Sequence, residues 1–121
     1  MNTPRSKDPW DNISGRGVVW IGLALALAFE LLACLFRFGF GFESTRDTGW
    51  LSAITFGFRI HHGYPGLLLA FIAVVCFPKR NGYRNILLVL ATALVASDLA
   101  HHFLVLWPIT GSPQFDLTYP K

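Results

Sequence analysis

The four histidines of the chain fall into two doublets, His61-His62 in "RIHHGYPG" and His101-His102 in "SDLAHHF". Asp98 stands three and four residues before His101 and His102, so on a helix all three share one face. That is how a helix offers a metal two ligands, or one ligand and the carboxylate behind it. Imidazole and carboxylate together suit Zn, Cu or Fe. Cys34 and Cys76 lie in separate apolar runs and form no C-x-x-C pair, which argues against a soft Cu(I) or Fe–S site. Cys34 does follow Glu30 by one helical turn, which makes it a weak contributor to the same set. Ser97 adjoins Asp98, but neighbours on a helix point about 100° apart, so it is no nucleophile of this site.

Each of these residues also has a plainer reading. A lone intramembrane His is commonly a hydrogen-bonded packing residue, Asp98 can pair with Arg59 or Arg37, and Glu30 can face a partner helix. Tyr64-Pro65-Gly66 reads most simply as a kink.

The elements that must position these groups are apolar. Of 121 residues, 53% are hydrophobic and 14% charged. Such a composition points away from a soluble domain and towards a membrane one. The net charge of +3 forms no arm or stripe, so nucleic acid is not an expected partner. Residues 17–36 carry Glu30 as their single charge, and residues 86–107 end in Trp107 and Pro108 follows. Each is long enough to cross a hydrocarbon core of about 30 Å. A signal-peptide reading of the first run is disfavoured by Glu30, which interrupts it. The middle run, 50–77, contains Arg59, both histidines of the first doublet, and Pro65 with Gly63 and Gly66 alongside. The expected fold is therefore one all-α integral membrane domain over 1–121. It has three transmembrane helices, the second kinked or broken near Pro65, and an extended tail over 108–121 that can fold over the site as a lid.

Basic residues set the expected orientation. Arg5, Lys7, Arg16 and the three in "PKRNGYRN" (78–85) oppose Arg37, Arg46, Arg59 and Lys121, which acids dilute. The bias puts the N-terminus on the cytoplasmic side and the C-terminus outside. Three alternating helices then gather Glu30, His61, His62, Asp98, His101 and His102 in one layer under the non-cytoplasmic surface. A central Asp alone would cost about 2.5–3.5 kcal/mol in lipid on insertion scales. Together the six can satisfy one another or a ligand.

Three functions fit. The first is an intramembrane site for a transition metal. "DLAHH" is similar to an H-x-x-H-H box of the membrane di-iron desaturases with Asp in first place, but that class uses about twice the histidines this chain has. The second is a haem- or pigment-binding anchor, which resembles the haem-carrying anchor subunits of respiratory complexes in outline only, with one His from each doublet as axial ligand. The third is a non-enzymatic accessory subunit that uses the cluster for proton transfer or assembly. Ala24, Ala26, Ala91, Ala93 and Ala96 allow close helix packing, and a homo-oligomer or larger membrane complex is the expected partner beside the lipid bilayer.

Overall fold

A computed structural model describes residues 8–120. Among those residues the protein is helical, with no strand and one isolated bridge between Phe58 and Thr118. Of the residues that set the expected orientation, Arg5, Lys7 and Lys121 lie outside the described residues.

Helix α1 spans Gly15–Cys34. Ser14 starts it by accepting the Gly17 N–H at 3.0 Å, satisfying a donor the first turn leaves free. It continues through a wide π turn, Leu35–Gly39, to make an apolar run of 25 residues. A short α2, Ser44–Asp47, and a 3-10 turn, Gly49–Ala53, follow. In this exposed connection the Arg46 guanidinium and the Glu43 N–H hold the Asp47 carboxyl below the usual carboxylate range, because both favour its charged form.

The helix expected over 50–77 is realised only as α3, Gly63–Cys76, a helix of 14 residues. At about 1.5 Å per residue it is too short to cross a bilayer alone. The stretch before it cannot stay helical, because Phe56 (φ 55°) and Gly57 (φ 83°) both turn left-handed. Pro65 does not kink this helix; it sits in the first turn, where an N–H would have no helical partner. The His61 carbonyl that Pro65 cannot serve takes the Tyr64 N–H instead, at 3.0 Å.

Helix α4, Gly82–Leu99, begins at Asn81, whose side chain accepts the Arg84 N–H at 2.8 Å. It passes through a longer π segment, Ala100–Leu106, into α5, Trp107–Thr110. The run Gly82–Thr110 is 29 residues, so Trp107 and Pro108 do not end it. Left-handed Gly111 (φ 77°) does, as glycine commonly does at a helix C-terminus. By length and composition the two runs Gly15–Gly39 and Gly82–Thr110 could each cross a membrane.

α4 is the central helix, with α1 and α3 both packed against it. Glycine allows both approaches. A Cβ on Gly22 would lie 2.6 Å from Thr92 Cβ, and one on Gly66 would lie 2.9 Å from Val95 Cγ2. Ala26, Ala73, Ala91 and Ala93 are buried, whereas Ala24 is exposed and Ala96 half-buried. Small buried residues of this kind let helix backbones approach closely. At one end of the bundle Asn85 donates to the Trp10 carbonyl at 2.7 Å, and Arg80 to that of Ile13. At the other end the tail returns: Arg59 N–H donates to Leu117 O and Tyr119 N–H to Gly57 O, both at 2.9 Å.

Candidate metal centre

Asp98 lies in the last turn of α4, against the start of α3, and is 2% exposed. His102 is one turn further along, in the π segment, and its Nε2 lies 3.7 Å from Asp98 Oδ1. His61, just ahead of α3, brings its Nδ1 to 3.9 Å from the same oxygen. The three ligand atoms of His61, Asp98 and His102 all lie within 4.8 Å of one another, and all three residues are buried. Ligands bound tetrahedrally at about 2.0–2.1 Å stand about 3.4 Å apart, between the 3.1 Å that separates the two ring nitrogens and the 3.7 and 3.9 Å from them to Asp98.

The tail decides which nitrogens face inward. His102 Nδ1 lies 2.7 Å from the Pro113 carbonyl oxygen, and His61 Nε2 lies 3.1 Å from that of Asp116. A carbonyl oxygen only accepts, so each of these nitrogens carries the hydrogen. In the neutral rings the other nitrogen of each is then bare. Those two bare nitrogens, His61 Nδ1 and His102 Nε2, face each other at 3.1 Å. Asp98 Oδ1 beside them is buried and accepts no hydrogen bond from any described residue. Two lone pairs and a carboxylate oxygen turned on one point repel unless a cation lies among them. Phe115 covers His61, its ring stacked on the imidazole with centroids 4.3 Å apart.

His62 belongs to this group differently. Its Nδ1 is 3.1 Å from Asp98 Oδ1, without the alignment of a hydrogen bond, and its side chain is 43% exposed. Its Nε2 meets Ser97 Oγ at 3.0 Å. The one hydroxyl hydrogen of Ser97 is directed at the Leu94 carbonyl at 3.3 Å, so Ser97 accepts from His62 Nε2 and the neutral ring leaves Nδ1 bare beside Asp98 Oδ1.

His101 turns the other way. Its Nδ1 donates to Glu30 Oε1 on α1 at 3.0 Å, and the Cys34 thiol donates to the same oxygen at 3.2 Å. The six residues expected in one layer are thus brought to the same end of the bundle but divided. His61, His62 and His102 gather on Asp98; Glu30 holds His101 and Cys34. Neither arginine pairs with Asp98: Arg37 meets Glu43 at 3.5 Å, and buried Arg59 meets Ser44, the Gln114 carbonyl and, at 3.8 Å, Asp116. Tyr64 only sets its ring edge-on to His61, with centroids 5.5 Å apart.

Both groups border one cavity of about 630 Å³. His61, His62, Asp98, His101 and His102 form much of its polar lining, and its walls include Phe36, Phe42, Leu51 and Leu106. Sequence reasoning did not reach Gly63, whose missing side chain makes room for Asp98, or the carbonyls of Pro113 and Asp116. The clustered aromatics and prolines of the tail were the one signal of its role; main-chain oxygens leave no trace in residue type.

No family model, curated protein or solved structure matches the chain.

Proposed function

We propose that this chain is a small membrane protein that holds one transition-metal ion on His61, His102 and Asp98. The observation that carries the reading is the 3.1 Å approach of two ring nitrogens whose partners on the far side of each ring oblige them to be bare. A proton could relieve that pair alone. It would still leave Asp98 Oδ1, 3.7–3.9 Å from those nitrogens, without a hydrogen bond, whereas a metal ion satisfies all three atoms together. The donor set of two imidazoles and a carboxylate suits Zn, Cu or Fe, and three protein ligands would leave a further coordination position open at a site whose residues all line the cavity. Small-ligand binding or water activation belongs there; His62 stands at the cavity edge, 3.1 Å from Asp98 Oδ1. A haem held between His61 and His102 is disfavoured, since a macrocycle does not fit between nitrogens 3.1 Å apart.

The surface supports membrane residence. In α1 only Val18, Gly22 and Ala26 are buried, while Trp20, Leu27 and Leu31 are among its exposed residues. An apolar surface of this extent needs lipid or a partner subunit, a second copy included. In this reading α1 and the α4–α5 run cross the bilayer with the N-terminus cytoplasmic. α3 and the irregular stretch before it make a third passage, whose broken backbone is tolerated because it lines the cavity and lies under the tail.

The test is metal analysis of protein purified without chelator or histidine tag, from membranes washed at alkaline pH. The expected result is a stoichiometric metal in the wild type, with bound metal falling by one equivalent in His102→Ala. Metal-free wild-type protein overturns the metal reading and leaves a proton between the two rings, the accessory-subunit function. Release by the alkaline wash overturns the membrane reading.

A further inference from the structure

Glu30, Cys34 and His101 are not used by the centre on Asp98. Glu30 and Cys34 stand one turn apart on α1, and His101 reaches them from the π segment that continues α4. Glu30, Cys34 and His101 each offer one ligand atom, and these atoms all lie within 4.8 Å of one another. As a hydrogen-bonded triad the arrangement is incomplete. Both donors converge on Oε1, and the second oxygen, Oε2, is buried with no hydrogen-bond partner among the described residues. A cation held by both carboxylate oxygens removes that imbalance, with the thiolate and imidazole completing its protein ligands.

We propose that Glu30, Cys34 and His101 form a second metal site, separate from the first, for a borderline-soft divalent cation of the Zn²⁺ or Cd²⁺ class. The thiolate excludes Mg²⁺ and Ca²⁺. Binding releases the Cys34 thiol proton to solvent and moves the His101 hydrogen from Nδ1 to Nε2, so the metal replaces the two hydrogens that now point at Oε1. Of the three, His101 lines the cavity, as does Ala33, the neighbour of Cys34. The His101 and His102 rings are 5.5 Å apart between centroids, so the two sites are neighbours without a common ligand.

The experiment is Cd²⁺ titration of the full chain in detergent, in a Cys76→Ser background that leaves Cys34 as the one thiol. Cys76 is exposed at the end of α3 and is no part of either site. The expected result is a thiolate-to-metal charge-transfer band saturating by two equivalents, one for each site, with maleimide labelling of Cys34 lost at saturation and restored by chelator. Adding Asp98→Asn keeps the band while total bound metal falls by one equivalent; if total metal does not fall, the first site fails and this one stands. Helical protein that gives no band and labels equally with and without Cd²⁺ overturns the second site.

Discussion

A Cβ built on Gly63 would lie 2.7 Å from Asp98 Oδ2 and 3.3 Å from Asp98 Cβ. The first residue of α3 and the buried carboxylate of α4 therefore share a space that no side chain at 63 leaves intact. Gly63→Ala forces the carboxylate off its present position without removing any ligand. Zinc affinity, measured by competition with a chromophoric chelator, should fall about 10–100-fold, as when a metal ligand loses its support. Gly15→Ala, where nothing lies within 4 Å, is the matched control. Equal affinities would show that the position of Asp98 does not matter to the metal.

Replacing Asp98 by Asn removes the charge and keeps the shape. At a zinc concentration of about 100 times Kd the wild type should gain about 2.7 kcal/mol of stability, and Asp98→Asn should gain none from this site. Without metal, Asp98→Asn should melt no lower than the wild type, because it relieves a buried oxygen that has no hydrogen-bond partner among the described residues, a costly state for any polar atom. A loss of about 3–5 kcal/mol in the metal-free variant would mean instead that Asp98 is half of a buried ion pair with a protonated His61.

Deleting residues 112–121 strips both carbonyls from His61 and His102 and should lower zinc affinity about 10–100-fold. Phe115→Ala should keep the metal stoichiometry and lose the ring contacts, worth about 0.5–1.5 kcal/mol beyond burial. Calorimetric titration reads the first and thermal unfolding the second. A truncated chain that binds as tightly as the full one would remove the tail from the centre.

Gly22→Val tests the division between the two groups. The added side chain collides with Thr92 and pushes α1 from α4. Overpacking of this kind costs about 1–3 kcal/mol. α1 carries Glu30 and Cys34 but no member of the Asp98 group. The variant should therefore lose the Cd²⁺ charge-transfer band while retaining the metal that depends on Asp98. Loss of both together would make the two groups one cooperative unit.

The two long helices were legible in the sequence because unbroken apolar length announces itself, and so was the convergence of the polar residues at one end. The middle helix was not. Its apolar composition hid two consecutive left-handed residues at 56 and 57, one of them a phenylalanine, a bulky residue that rarely takes that form. The division of the His101-His102 doublet was available in principle. The angle of about 100° that sets Ser97 apart from Asp98 also sets His101 apart from His102, so one helix position serves Asp98 and the next serves Glu30. Asp98 and His102 could be paired by spacing alone; that Glu30 would claim His101 depended on how closely Gly22 lets α1 approach.

The two oxygens that orient His61 and His102 belong to the main chain of Pro113 and Asp116. Evolution then acts on the path of this segment more than on its letters. Either residue can be exchanged as long as the turn keeps its course, whereas one amino acid inserted between them shifts one oxygen relative to the other. Among descendants of this sequence the stretch from His102 to the tail should stay constant in length while its spelling drifts.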